Sequence, residues 1–205
     1  MIESGELIEP VSNYKLQVKI KVSALTSSTM QSQSAGGQIG FAQTTINVKL
    51  LETTTVAMSG NGILLSGFYQ KNLSKRYDVL GRLVYNSIQA TGDTPSPAIC
   101  NAGTCFVNIT YIDLGILFKY RLPLGQQIFW FGLGLDFLFA GDKSSNILDP
   151  SNIGMQQKLI ASLGHDWELN AKSFVPLSLE YGTFIDKNSV TASQIILNAG
   201  YGFHF

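Results

Sequence analysis

The sequence has few charged residues and no hydrophobic run long enough for a transmembrane helix. Charged side chains make up 14% of its 205 residues, against about a quarter in soluble domains. The longest nearly uncharged stretch, 122–140, still contains a proline, two glutamines, several glycines and Asp136. It is therefore not the ~20-residue apolar segment that a bilayer helix needs, and the apolar residues must be distributed over strands.

An excess of positive charge is also missing. The 14 Lys and Arg residues balance 14 Asp and Glu residues, the formal net charge is zero, and no basic tract occurs. Nucleic-acid-binding proteins need a basic surface to neutralise phosphates. The sequence therefore predicts no nucleic-acid partner.

Cysteine is nearly absent. The two cysteines, Cys100 and Cys105, lie close together in a segment rich in Pro, Gly, Asn and Thr. We favour a local disulfide formed in an oxidising compartment, with free thiols as the alternative. A metal site would need more ligands than this segment offers, so the sequence predicts neither a metal nor a cofactor.

The sequence does contain long runs in which apolar and polar residues alternate, which is the pattern of β-strands. The clearest run places Phe and Leu at odd positions from Phe129 to Phe139, with Trp, Gly and Asp between them. The clear runs span about 12 to 14 residues, roughly twice a usual soluble strand, which suits a tilted strand crossing a bilayer. The nine candidate runs are 14–24, 39–51, 62–70, 77–86, 109–121, 129–139, 158–168, 175–182 and 194–205.

The connections between these runs differ in length. Segments 122–127 and 170–173 are short, whereas 90–106 and 141–154 are long and rich in Gly, Pro, Asn, Asp and Ser. Short turns at one end and long loops at the other are typical of outer-membrane barrels.

Alternation alone does not decide whether the apolar face meets lipid or a soluble core. The apolar face concentrates aromatic residues towards run ends, as interfacial girdles do, while the opposite face carries repeated glycines and few charges. We therefore predict a lipid-facing apolar side. The predicted girdle residues are Phe129, Phe131, Phe137 and Phe139.

The chain ends in Ala-Gly-Tyr-Gly-Phe-His-Phe, with aromatic residues at Tyr201, Phe203 and Phe205. This segment resembles the C-terminal strand by which the barrel-assembly machinery recognises outer-membrane barrels. Together with the alternating runs over 38–205, it resembles the small OmpA-, OmpX- and OmpW-like barrels. The resemblance implies an all-β, closed, antiparallel up-and-down transmembrane barrel in the Gram-negative cell envelope, with outer-membrane lipid and the assembly machinery as partners.

The resemblance implies one barrel domain over 1–205, with 1–12 as an N-terminal tail. Nine runs conflict with the even strand number of such barrels. We expect eight strands, with 14–24 outside the wall or one weak run being a loop; ten strands is the alternative. The sequence begins without the basic and apolar regions of a secretory signal, and we expect that the signal has been removed.

If the polar faces point inward, charges of both signs meet in the lumen. Isolated charges are costly in a low-dielectric interior, and eight strands leave little more than room for side chains. We therefore favour a salt-bridged plug over the selectivity lining of a pore. The predicted network comprises Lys15, Lys19, Lys21, Asp78, Arg82, Asp113, Lys119, Arg121, Asp136 and Glu180.

The sequence predicts no enzyme, because no nucleophile stands at a suitable spacing from His165, and His204 is next to the chain end. The leading hypothesis is an outer-membrane barrel with a mostly closed lumen that is structural, organises lipids or presents loops. The alternatives are a passive pore for small or hydrophobic solutes and a soluble, lipocalin-like barrel. The amphipathic run Tyr14 to Ala24 further suggests a homo-oligomer.

Overall fold

The computed structural model describes residues 33–51, 54–94, 99–100, 103–124, 127–185 and 189–205. Strands dominate these residues, together with a short 3-10 helix at Pro150–Asn152. No helix in the described part of the chain is long and apolar enough to cross a membrane. The strands are β1 Gln33–Leu51, β2 Thr54–Asn72, β3 Tyr77–Asp93, β4 Thr104–Leu124, β5 Gln127–Ser145, β6 Gln156–Asn170, β7 Ser173–Phe184 and β8 Val190–His204.

The strands form a closed barrel in which each pairs antiparallel with the next. Closure occurs at β1, where Gly37 lies opposite Gly67 of β2 and Tyr201 of β8. The prediction of an eight-strand, antiparallel up-and-down barrel is confirmed. Eight of the nine predicted runs form its wall, and the ninth, Tyr14 to Ala24, lies outside the described residues.

Several strands are longer than the sequence predicted. β4 has 21 residues and β5 has 19. The predicted loops 90–106 and 141–154 are correspondingly shorter, because β3 continues to Asp93, β4 begins at Thr104 and β5 continues to Ser145. The predicted runs end early for two reasons. On β3 the apolar residues change from the outer to the inner face, and on β5 the predicted run is followed by the polar residues 141–145.

This change of face divides the barrel into two zones, as β3 illustrates. The end with the connections 73–76 and 171–172 is here called the turn side, and the end with the β3–β4 and β5–β6 connections the loop side. On the turn side, Leu83 points outward while Arg82 points into the lumen. Towards the loops, Gln89 points outward while Ile88 and Ala90 are buried inside. Inward and outward side chains alternate along the whole strand. What changes is the residue type: apolar residues occupy the outer face on the turn side and the inner face on the loop side.

The turn-side zone carries an outward belt of mainly aliphatic side chains, with Phe118 among them, bordered by aromatic ones. On β4 the belt runs from Ile112 to Leu122, which corresponds to a height of about 25 Å for tilted strands and equals the apolar band of outer-membrane barrels. The aromatic residues at its loop-side border are Phe41, Tyr85, Phe137, Phe139 and Tyr181. Those nearer the turns are Tyr69, Tyr77, Phe129, Phe131, Trp167, Tyr201, Phe203 and Phe205.

The wall above the belt is uneven in height. β1 to β4 extend well beyond the belt, whereas β6 begins at Gln156, three residues before Leu159 of the belt. The ladder between β5 and β6 ends at the pair Leu138 and Gln156. From Phe139 to Ser145, β5 is therefore paired with β4 alone.

A disulfide joins Cys100 to Cys105 at the loop-side rim, with 5.2 Å between the two Cα atoms. Both cysteines are buried against apolar side chains that include Met58 and Val107. The cross-link therefore attaches the β3–β4 connection to the inside of the barrel.

Reduction of this disulfide is expected to loosen the β3–β4 connection without opening the barrel. The cross-link closes a loop of only a few residues, so its contribution to the free energy of unfolding is at most about 2 kcal/mol. Limited proteolysis should show faster cleavage within 94–103 after reduction, while circular dichroism stays that of an intact barrel. The double variant Cys100→Ser, Cys105→Ser should be cleaved at one rate with or without reductant. Loss of the strand signal on reduction would contradict the expectation.

Candidate functional site

At the centre of the barrel, three strands contribute one charged cluster. The Arg82 guanidinium donates to Asp136 through Nη2 at 2.9 Å and Nε at 3.2 Å, and to the two carboxylate oxygens of Glu180 through Nη1 at 2.8 and 2.9 Å. The three side chains are 7%, 1% and 3% exposed. A Cβ on Gly115 would lie 2.0 Å from Asp136 Oδ1, so glycine at this position leaves room for the pair.

A polar layer, here called the floor, lies on the loop side of this cluster and consists of Thr44, Asn86, Asp113, Lys158 and Gln194. Lys158 Nζ is 3.2 Å from Asp113 Oδ2 and donates to Gln194 Oε1 at 3.3 Å. Asn86 donates to Asp113 at 3.1 Å, and Gln194 donates to the Thr44 hydroxyl at 3.0 Å. These bonds join five strands across the lumen.

The floor is continuous with the central cluster. Lys158 Nζ also lies 3.3 Å from Asp136 Oδ2, so Asp136 lies between two cations. The Lys158 stem fills the space beside Gly182, where a Cβ would lie 2.9 Å from Lys158 Cδ. A lysine this deeply buried is tolerable only because carboxylates surround its ammonium group.

A second polar network occupies the turn side of the lumen. Arg121 Nε donates to Asp78 Oδ2 at 2.5 Å, and Gln70 Nε2 donates to the same oxygen at 3.1 Å. Lys119 Nζ donates to Gln70 Oε1 at 2.9 Å and to Asp166 Oδ2 at 3.2 Å. The five side chains come from β2, β3, β4 and β6.

Aromatic and aliphatic side chains fill the lumen beside this second network. Trp130 Nε1 donates to Asp166 Oδ1 at 3.0 Å, and Lys119 Nζ lies 4.0 Å from the centre of the Trp130 ring. The cavity left in this region has a volume of about 10 Å³, close to the space that a single water needs. The apolar cluster consists of Phe68, Leu80, Leu117, Trp130, Ile160 and Phe174.

The structure thus places seven of the ten predicted network residues in the lumen. Arg82, Asp136 and Glu180 form one group, and Asp113 joins them through Lys158. Asp78, Lys119 and Arg121 belong to the turn-side network, where Arg121 donates to Asp78 and Lys119 donates to Gln70. The other three, Lys15, Lys19 and Lys21, lie outside the described residues.

Above the floor the lumen opens into an apolar cavity of about 250 Å³, here called the cup. Its walls come from the loop-side parts of β1, β3 and β4, from the β5–β6 connection, and from the loop-side ends of β7 and β8. The polar lining residues are Thr44, Asp149, Asn152 and Gln156. The aliphatic and aromatic lining residues are Ile46, Ile88, Val107, Ile109, Tyr111, Ile147, Leu148, Ile153, Phe184, Ile185, Val190 and Ala192.

The β5–β6 connection, residues 146–155, is held in place by hydrogen bonds to the wall. Asn146 accepts from the backbone N–H of Phe106 at 2.8 Å and donates to the Thr104 carbonyl at 2.9 Å. Lys143 Nζ donates to the Ile153 carbonyl at 2.5 Å. These bonds position Ile153 and its neighbours against the cup.

The short helix in this connection is capped by Asp149. The Ser151 hydroxyl and backbone N–H both donate to the Asp149 carboxylate, at 2.8 and 2.9 Å, and they lower the pKa of that carboxyl below its usual value. The cap stays charged under ordinary conditions and fixes the direction of the chain at the mouth of the cup.

The sequence-based prediction does not contain the cup, because it places the apolar face of every run outward. The residues that reveal it change parity: Leu83 and Tyr85 are odd-numbered, whereas Ile88 and Ala90 on the same strand are even-numbered. The same change separates Ile109 from Ile112 on β4. A shift of apolar residues to the other face within one strand was therefore the available signal.

The two histidines have structural neighbours. His165 faces outward, its Nδ1 is 2.9 Å from the Ile128 carbonyl oxygen, and its ring stacks on Phe129. His204 Nε2 lies 3.1 Å from Glu168 and its ring stacks on Phe174. Within the described ranges, no group of three or more His, Cys, Asp and Glu side chains is arranged to hold a metal ion.

The predicted assembly segment forms the end of β8, the strand that closes the barrel. Tyr201, Phe203 and Phe205 all face outward, and the backbone N–H of Phe205 donates to the Gln33 carbonyl of β1 at 3.1 Å. The aromatic side chains of this segment are therefore available on the lipid-facing surface beside the seam between β8 and β1.

No protein-family model matches the sequence, and no curated protein matches it. Solved structures are similar to it. Neisserial surface protein A is 12% identical with a TM-score of 0.54, covering 83% of this chain and 97% of its own. The outer membrane protein OprG from Pseudomonas aeruginosa is 14% identical with a TM-score of 0.56, covering 85% and 95%.

The outer membrane protein AlkL, solved in lipid bilayers, is 13% identical with a TM-score of 0.59, and the match covers 85% of this chain and 90% of AlkL. At such identities the similarity concerns the fold. The agreement extends over nearly the whole length of each solved chain, and the aliphatic belt with its aromatic borders is what a bilayer requires. The chain therefore has the fold of the small transmembrane β-barrels of the bacterial outer membrane.

Proposed function

We propose that this protein is a non-enzymatic outer-membrane barrel with a closed lumen, whose loop-side cup binds small apolar molecules. The observation that carries the proposal is that the mostly apolar cup lies directly on the polar floor. An apolar cavity of about 250 Å³ lies on a charged, hydrogen-bonded floor. A ligand can enter the cup and has no open path through the floor.

The size and lining of the cup support binding. An apolar cavity of about 150 Å³ is enough to hold benzene in an engineered protein, and the cup is larger. Its walls offer aliphatic side chains such as Ile46, Ile109 and Val190. Each methylene group transferred from water into such surroundings gains about 0.8 kcal/mol.

The lumen below the cup supports closure. An ion that crossed it would have to displace the Arg82 bonds to Asp136 and Glu180 and then the aromatic cluster around Trp130. Breaking a buried ion pair costs about 3–5 kcal/mol. The barrier therefore favours a plug over a conducting path.

Planar-bilayer recording tests the closed lumen. The protein is expected to give no steady conductance above that of a protein-free membrane, because both polar networks fill the lumen between the cup and the turns. A general porin inserted in the same membrane supplies the positive control. Steady steps in the nanosiemens range would overturn the closed-lumen proposal.

Filling the cup tests ligand binding. Ala192→Phe would place a ring in the cup, and binding of a small apolar probe such as 1,1,1-trifluorooctane is expected to weaken at least tenfold, measured by ¹⁹F NMR with the barrel in nanodiscs. Ala199→Phe is the matched control, because Ala199 faces outward on the same strand. Equal binding by wild type and Ala192→Phe would contradict the assignment of the cup.

A second candidate is passive transfer of hydrophobic solutes between the cup and the membrane. The observation in its favour is the uneven wall, in which β5 has no β6 partner from Phe139 to Ser145. A probe dissolved in lipid should then reach the cup faster than the same probe added from water. Stopped-flow mixing of the two preparations separates this candidate from simple binding, for which the aqueous route is the faster one.

A further inference from the structure

The hydroxyl of one tyrosine in the cup has no hydrogen-bond partner among the described residues. Tyr111 lines the cup from β4 and is only 4% exposed. Its carboxylate neighbour along the strand, Asp113, accepts from Asn86 and Lys158 through Oδ2, while its Oδ1 has no partner among the described residues. Among the residues that the structure describes, none donates to or accepts from the Tyr111 hydroxyl, so this group is free to bond to a molecule that enters the cup.

The unpaired hydroxyl lies where the apolar walls meet the floor. Tyr111 precedes Asp113 by two positions on the inward face of β4, so their Cα atoms are about 6–7 Å apart. The side chains above it, Val107 and Ile109, are aliphatic and line the cup. The cup therefore has mostly apolar walls and the Tyr111 hydroxyl near its base, where Thr44 of the floor also lines it; Asp149, Asn152 and Gln156 are its other polar lining residues.

The charges near this position select against an anion. The floor and the central cluster contain two cations, Arg82 and Lys158, and three carboxylates, those of Asp113, Asp136 and Glu180. Both cations are already engaged by these carboxylates. A ligand carboxylate would approach Asp113 without a free cation to balance it, whereas a neutral oxygen would meet no such penalty.

We propose that the Tyr111 hydroxyl anchors the polar end of a small, neutral amphiphile, an aliphatic alcohol or carbonyl compound, whose hydrocarbon part fills the cup. This inference rests on the proposed function and specifies its ligand. An alcohol or carbonyl oxygen accepts from the Tyr111 hydroxyl, and the chain extends between the aliphatic walls towards Ile147 and Leu148. Tyr111 is thus the specificity-determining residue of the cup.

The test compares two probes of equal length in wild-type protein and in Tyr111→Phe, by ¹⁹F NMR in nanodiscs. The probes are 8,8,8-trifluorooctan-1-ol and 1,1,1-trifluorooctane. Loss of one buried hydrogen bond corresponds to roughly a tenfold change in affinity. The variant is expected to bind the alcohol about tenfold more weakly and to bind the alkane as well as wild type does.

The matched control is Tyr85→Phe, which removes a hydroxyl from the outward face of the neighbouring strand and should leave both affinities unchanged. A third probe, octanoate at neutral pH, should bind wild type at least tenfold more weakly than the alcohol. Octanoate binding as tight as that of the alcohol would overturn the selection for a neutral ligand.

The outcomes separate the two proposals. If wild type binds neither the alcohol nor the alkane, ligand binding in the cup is refuted, and so is the role of Tyr111 as an anchor. If wild type binds both, and Tyr111→Phe weakens both equally or neither, the cup stands and the anchor is refuted. Selective loss of alcohol binding in Tyr111→Phe alone supports the anchor.

Discussion

Replacing Arg82 with alanine is expected to lower the free energy of unfolding by about 3–5 kcal/mol. The variant leaves the carboxylates of Asp136 and Glu180 in the centre of the barrel, where both are almost inaccessible to solvent. Lys158 still balances Asp136, so the larger part of the loss comes from Glu180. Urea unfolding from lipid vesicles, followed by tryptophan fluorescence, measures the change.

Two further variants make this prediction specific. Arg82→Met combined with Glu180→Gln removes both charges and should recover more than half of the lost stability, because neutral pairs of similar volume replace buried ion pairs at little cost. Arg76→Ala removes an exposed arginine of the β2–β3 turn, which donates to the Tyr120 hydroxyl on β4. It should change the free energy of unfolding by less than about 0.5 kcal/mol. An Arg82→Ala variant as stable as Arg76→Ala would contradict the assignment of a buried cluster.

Arginine placed on the lipid-facing belt is expected to have the second large effect. Ile116 lies near the middle of the belt on β4 and is 52% exposed on the outer surface. Ile116→Arg should lower the free energy of unfolding from vesicles by about 2–4 kcal/mol, because the guanidinium must enter hydrocarbon near the bilayer midplane. Folding yield and urea titration in the same vesicles provide the measurement.

The matched control lies on the same face of the same strand. Asn108 also points outward from β4 but stands beyond the loop-side border of the belt. Asn108→Arg should change stability by less than about 0.5 kcal/mol, because its side chain meets water. Equal losses for the two variants would contradict a belt that begins near Ile112 and would move the membrane border towards the loops.

The change of face within each strand links the fold to the proposed function. Where lipid surrounds the barrel, apolar side chains must face outward and the polar ones are enclosed, so they pair with one another. Beyond the lipid, water surrounds the barrel and the same period of two places apolar side chains inside. The cup is therefore a consequence of strands that continue past the membrane.

Much of the barrel could be predicted from local pattern. A period of two is a property of neighbouring residues, so runs such as Phe129 to Phe139 indicate strands before any tertiary contact is known. The inward side of Asp78, Arg82, Asp113 and Asp136 followed from the same parity. The lipid-facing side followed from the aromatic residues at the run ends and from the C-terminal segment.

The tertiary structure alone decided which charges pair and where the lumen changes character. Arg82 and Glu180 are 98 residues apart in the chain, and their contact depends on the register of strands between them, to which no local pattern refers. The cup depends on wall segments from opposite sides of the ring and on the β5–β6 connection, whose side chains meet only when the barrel closes. Alternation is set by the geometry of one strand, whereas partners and cavities are set by closure of all eight.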